Sequence, residues 1–215
     1  MKKILTIAIM ALCLAPVFAQ GISKSNLENQ PKLKYRISIP AIIALNIGDG
    51  DVKTNTKHFE LHVKKEITSK DIIGIKFATW RLFQPMGILW WDGLLDKIDT
   101  ESEFYPGYLR ETGIGVSYQR MLWKGLFATV EVLPQYQTYL TEDNKRIANG
   151  FKLYNSYHIG YHFAFGKKKR IFIEPQIHCQ HWIFDTNTPE AFKVLDDKWR
   201  KYFLFEPNLY LGIKF

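Results

Sequence analysis

The last fourteen residues, Tyr202 to Phe215, read YFLFEPNLYLGIKF and constrain the fold more than any other stretch. Phe203, Phe205, Pro207, Leu209, Leu211, Ile213 and Phe215 are apolar; Tyr202, Leu204, Glu206, Asn208, Tyr210, Gly212 and Lys214 are mostly polar or small. A period of two sustained this long predicts a strand with one apolar and one wet face. Lipid on one side and a polar lumen on the other would use both faces. No stretch after the leader approaches the roughly 18 apolar residues of a membrane helix. A membrane location therefore requires a closed barrel, which alone pairs every backbone group of its strands in lipid.

The start of the chain sets a matching expectation. Met1-Lys2-Lys3, the apolar run Ile4 to Pro16 and Val17-Phe18-Ala19 before Gln20 read as a secretory signal peptide over residues 1–19. Cys13 reads as filler of its apolar run, which leaves Cys179 alone in the mature chain and no intramolecular disulfide. Removing Lys2 and Lys3 lowers the formal charge from +8 to +6. The basic residues are dispersed, so nucleic acid is not an expected partner; attraction to the anionic groups of outer-membrane lipids is a milder reading, and solvated loops and turns the leading one.

Residues 20–33 read as a loose periplasmic lead-in, and 34–215 as the barrel. Period-two segments recur at Lys34–Ile47, His58–Ile67, Asp71–Phe83, Arg110–Leu122, Leu126–Leu140, Phe151–Phe165, Arg170–Phe184 and the C-terminal segment. Pro40 predicts an irregularity in the first, because proline lacks the N–H a paired strand needs. Short turns at Thr68–Lys70, Trp123–Gly125 and Gly166–Lys169 alternate with longer connections at Asn46–Thr56, Gln84–Leu109, Thr141–Gly150 and Asp185–Trp199. The expectation is an all-β, eight-stranded antiparallel up-and-down transmembrane barrel, with short periplasmic turns and longer outer loops.

Phe-Ile-Glu-Pro (Phe172–Pro175), Leu-Phe-Glu-Pro (Leu204–Pro207) and the closing Gly-Ile-Lys-Phe also carry a resemblance. From Lys34 to Phe215 the chain resembles small eight-stranded outer-membrane barrels of the OmpX and OmpA-barrel kind. It looks closest to uncharacterised Bacteroidota outer-membrane barrels. The resemblance implies a bacterial outer-membrane location and a terminal Phe215 read by the barrel-assembly machinery. It specifies architecture, and a fold is not a function.

Parity points Arg36, Lys64, Lys76, Glu60, Glu66, Glu111, Glu131, Glu174 and Glu206 into the lumen. Buried charges must be paired, so Arg36, Lys76, Glu131, Glu174 and Glu206 are expected to form a charge plug. The leading reading is a non-enzymatic barrel with a structural or surface-interaction role. One alternative is a lipid-modifying acyl hydrolase or transferase: Ser156 and His158 share a strand face, and Glu174 is a candidate orienting carboxylate. Outer-membrane deacylases of lipid A carry His-x-Ser facing lipid, whereas this chain has Ser156-Tyr157-His158 facing inward. The other alternative is a soluble lipocalin-like barrel, which needs an apolar interior. No cofactor or metal is expected: His158 and His162 lie roughly 13 Å apart on a strand. Tyr35, Tyr118, Trp123, Tyr136, Tyr157 and Tyr161 suit interfacial girdles, and Trp90-Trp91 a surface loop that folds back on the rim.

Overall fold

In the computed structural model, the described residues are 34–46, 55–88 and 100–215. The signal-peptide and lead-in expectations, and Trp90-Trp91, lie outside them. Nine strands form the sheet: β1 (Tyr35–Pro40), β2 (Phe59–Glu66), β3 (Asp71–Leu82), β4 (Tyr108–Trp123), β5 (Leu126–Leu140), β6 (Arg146–Tyr161), β7 (Phe163–Phe165), β8 (Ile171–Asp185) and β9 (Tyr202–Lys214). β7 resumes the line of β6 after a break at His162, whose N–H donates sideways to the Gly125 carbonyl at 2.8 Å. Both pair with β8, β8 pairs with β9, and β9 pairs with β1, so the sheet closes on itself. With β6 and β7 counted as one wall, this is an eight-stranded antiparallel barrel.

The strands lean strongly. Following Cα partners once around, Ile37 leads through Val63, Ile75, Val116, Val132, Asn155 and His181 to Tyr202. Ile37 itself pairs with Ile213, eleven residues further along β9. A stagger of that size in an eight-stranded barrel corresponds to a tilt of roughly 40°.

Outside, the wall is apolar. Ile73, Ile75, Ile114, Val116, Val130, Ile159, Ile177, Leu211 and Ile213 are all exposed. Inside, it is mostly polar: Arg36, Glu60, His62, Lys64, Lys76, Glu111, Glu131, Lys152, His158 and Glu174 are buried. This is the inverse of a lipocalin, and an apolar ladder this continuous is at home in hydrocarbon. The barrel is a transmembrane one.

Four local features differ from the sequence reading. The first strand ends at Pro40 rather than Ile47, and Ala41–Asn46 winds into a 3-10 turn. Thr141–Gly150 is not a loop: the β5–β6 hairpin turns tightly, with Thr141 N–H on the Lys145 carbonyl at 2.9 Å and Asn144 at φ 64°. Its polar side chains are ladder residues of a hairpin that runs beyond the apolar band. The Asp185–Trp199 connection holds a helix, α1 (Glu190–Asp196). In β9, the step from Glu206 to Phe203 faces only His178 to Gln180, so β9 carries one extra residue there, with Phe205 at φ 58°. This bulge reverses the face of the strand's first residues. Phe203 turns inward, against the expectation, and Tyr202 and Leu204 are exposed.

Candidate functional site: the barrel interior and its crown

Three polar clusters are stacked along the lumen. At the turn end, the Arg36 guanidinium meets Glu66 and lies 3.4 Å from Glu174. Glu174 also takes His162 Nδ1 at 2.9 Å, Gln119 Nε2 at 3.3 Å and Lys64 Nζ at 3.7 Å. Phe172 packs against this cluster, 5.9 Å from the Arg36 guanidinium and 5.0 Å from the His162 ring, and both it and Phe127 are buried. They fit because Gly160 and Gly212 face them: a Cβ at Gly212 would stand 2.3 Å from Phe172 Cζ, and one at Gly160 2.6 Å from Phe127 Cζ.

The middle cluster is centred on Lys76, whose Nζ lies 3.0 Å from Glu131 and 3.2 Å from Glu60. Glu60 also accepts from the Tyr210 hydroxyl at 3.0 Å and contacts His58 at 3.1 Å and His62 at 3.3 Å. Beside it, Glu206 takes His178 Nε2 at 2.6 Å and Gln180 Nε2 at 3.0 Å. Toward the crown, Trp80, Leu133, Tyr154, Trp182 and Phe203 form an apolar layer around Ala78. Above them Glu111 accepts from Trp80 Nε1 at 2.6 Å, Gln137 Nε2 at 2.9 Å and Lys152 Nζ at 2.8 Å. Lys152 is absent from the lumen charges expected above, although it lies within Phe151–Phe165 and shares the inward face of Tyr154, Ser156 and His158, so the same parity points it there.

The Ser156–His158 pair is close but wrongly wired for acyl transfer. His158 Nε2 lies 2.9 Å from Ser156 Oγ, and the carboxylate nearest to both is Glu131, not Glu174. Glu131 contacts the same Nε2 at 3.6 Å, while the buried Nδ1, where an orienting carboxylate belongs, has no hydrogen-bond partner among the described residues. Glu174 sits with His162 in the lower cluster instead. Among the described residues, no three His, Cys, Asp or Glu side chains converge as metal ligands. Cys179 is a half-buried free thiol on the outward face of β8.

The crown is ordered around α1. Phe192 packs on Tyr105 and Tyr139 at ring distances of 4.7 and 5.1 Å, over the inward-facing Leu109. The Tyr105 hydroxyl donates to Asp196, and Trp199 Nε1 to Glu103 at 3.0 Å. Beside α1 lies a crevice of about 250 Å³, lined in part by Met86, Trp182, Thr188, Asp196, Trp199 and Arg200.

Burial raises the Asp196 carboxyl above its ordinary 3.8, and the hydrogen bond from Tyr105 opposes the rise; Lys152, Asp185 and Glu111 are the other charges acting on it. A carboxyl with a raised folded-state pKa favours the fold fully below its unfolded value and loses that contribution as pH climbs through the folded one. Protection of the α1 amides against hydrogen exchange, corrected for intrinsic rates, is therefore expected to fall as pH rises above about 4. Asp196→Asn keeps an acceptor for Tyr105 and removes the titration, so its profile through this range should be flatter. Equal slopes in the two proteins would show that Asp196 does not control the crown.

No family model matches the chain, and no curated protein matches it. Among solved structures, it is similar to the crystal structure of Ail, the attachment invasion locus protein of Yersinia pestis, in complex with the heparin analogue sucrose octasulfate. The TM-score is 0.39 at 11% identity, over 85% of this chain and 94% of that one.

Proposed function

We propose that this chain is a non-enzymatic bacterial outer-membrane barrel with a plugged lumen, whose task is structural or lies in contacts made by its crown. The observation that carries the reading is the interlocked interior. Each carboxylate of the three clusters meets a cation, a histidine or a hydrogen-bond donor, and aromatic rings pack against the lower cluster and between the upper two. An interior this filled leaves ions no hydrated path, and opening one would strand buried charges. Short turns then face the periplasm and the crown faces outward, as in barrels of this kind.

The expected result is a heat-modifiable band on a gel, recovery in the outer-membrane fraction and near-zero conductance in planar bilayers. Large steady channels would overturn the plug; recovery as a soluble periplasmic protein would overturn the membrane location. The signal peptide over residues 1–19 belongs to the same proposal, as does Phe215. That ring is exposed and stacks on Tyr35 at 5.9 Å, with the two backbones exchanging hydrogen bonds of 3.0 Å. An exposed aromatic ring beside the β9–β1 seam suits recognition by the barrel-assembly machinery. The same fractionation of a Phe215-deleted chain tests this, with a smaller heat-modifiable fraction expected.

A further inference from the structure

The apolar exterior ends in two polar edges on β3 and β4, and the edges are built differently. At the turn end, Asp71 accepts from the Tyr118 hydroxyl at 2.6 Å and from the Arg120 guanidinium, its Cα partner on β4. That edge is internally neutral. Ten residues further along each strand, Arg81 stands Cα-opposite Arg110. At ~3.3 Å per residue and a tilt of roughly 40°, ten residues rise about 25 Å, the height of the apolar band. Between the two edges the outward ladder is Ile73, Ile75 and Phe77 beside Ile114 and Val116.

Like charges directly opposite on neighbouring strands repel. Among the described residues, no carboxylate forms an ion pair with either guanidinium. Arg81 Nε is buried and donates to none of the described residues. Its guanidinium carbon lies over the Tyr108 ring, 5.1 Å from the centre, while Arg110 is exposed. The neighbouring Cα partners along the row, Thr138 and Asn149, are neutral. A third cation stands close by: exposed Lys57 follows Thr56, whose carbonyl accepts the Arg81 N–H at 2.6 Å. Toward the band, Thr79 and Thr112 share a hydrogen bond of 2.9 Å.

We propose that Arg81 and Arg110, with Lys57 at their side, bind a phosphate on the headgroup of an outer-leaflet lipid. Two guanidinium forks offer planar pairs of donors that match phosphate oxygens, and an anion between them turns their repulsion into attraction. A lipid suits the site better than a free anion because the arginines face sideways at the end of an acyl-facing ladder. One molecule then satisfies the apolar wall and the cations together. The inference rests on the membrane reading of the barrel given above.

The test uses the full folded chain in neutral detergent and native mass spectrometry. The probes are phosphatidic acid, diacylglycerol with the same chains, and inorganic phosphate. One retained phosphatidic acid is expected where diacylglycerol is not retained and inorganic phosphate does not displace the lipid. The double variant Arg81→Gln/Arg110→Gln should weaken retention about tenfold or more, as loss of charge-assisted hydrogen bonds implies. Arg110→Lys, which keeps charge but loses the fork, should fall between. Gel migration reports whether each variant is folded, so a lipid-free but folded double variant supports the site. Undiminished retention by the folded double variant, or by Arg110→Lys if the double variant does not fold, would overturn it. Displacement by equimolar inorganic phosphate would overturn the lipid assignment. A wild-type chain that never folds as a barrel would overturn the membrane reading instead.

Discussion

Lys76→Met is expected to destabilise the barrel by about 3–5 kcal/mol, the usual result of stranding a buried charge by removing its partner. Lys76 is the only lysine or arginine ion-paired with Glu60 and Glu131 among the described residues, at 3.2 and 3.0 Å. Both carboxylates are buried, and histidines make the remaining ionic contacts. A methionine fills the volume and satisfies neither carboxylate. Urea unfolding of the chain in lipid vesicles, followed by tryptophan emission and by gel migration, would show a lower midpoint at an unchanged slope. Lys76→Met/Glu131→Gln should recover part of the loss, because one stranded carboxylate becomes a neutral amide. A wild-type midpoint for Lys76→Met would mean that the cluster is hydrated and the lumen open.

Gly212→Val should be comparably damaging, by a different mechanism. Gly212 lies on β9 at the seam where the barrel closes, Cα-paired with Ser38 on β1 and Phe172 on β8. A Cβ there would stand 2.3 Å from the Phe172 ring and 2.5 Å from the Ile37 carbonyl oxygen. The ring can move only into a filled interior, and the carbonyl only if the strand moves with it. Overpacking usually costs about 1–3 kcal/mol, and a seam clash on both sides belongs at the upper end or beyond. The refolding yield of the heat-modifiable form is the direct readout. Phe172→Ala added to Gly212→Val should restore part of the yield, since it relieves the ring contact and leaves the carbonyl contact. Full refolding of Gly212→Val alone would show that the seam is looser than the backbone places it.

Much of the architecture was legible in the sequence because barrel strands see two very different solvents. In β2, Phe59 and Val63 face out while Glu60, His62 and Lys64 face in, and the alternation needs no tertiary knowledge. The exceptions have local causes. Pro40 suggested an irregularity, yet whether the strand would bulge or end depended on what the chain does next. At Thr141–Gly150 polar composition predicts a loop, because a hairpin standing clear of lipid loses the apolar face that marks a strand. In β9, period two was carried through Phe205, where the backbone instead takes a left-handed bulge and turns Phe203 into the aromatic layer.

The candidate site divides along the same line. The residues alone specify alternation between lipid-facing and lumen-facing positions over enough strands to close a barrel. Side-chain parity is a local property, set by a backbone period of two. Which lumen group meets which follows from the folded sheet. Partners such as Lys76 with Glu131, and Arg36 with Glu174, are 55 and 138 residues apart in the chain. Their meeting depends on the register of the strand between them, β4 in the first pair and β9 in the second. The register of the β5–β6 hairpin puts Glu131 rather than Glu174 beside Ser156, and the helix in the β8–β9 connection sets Phe192 over Tyr139. A strand's face is written in its own residues, whereas contacts across a barrel depend on the register of every strand between them.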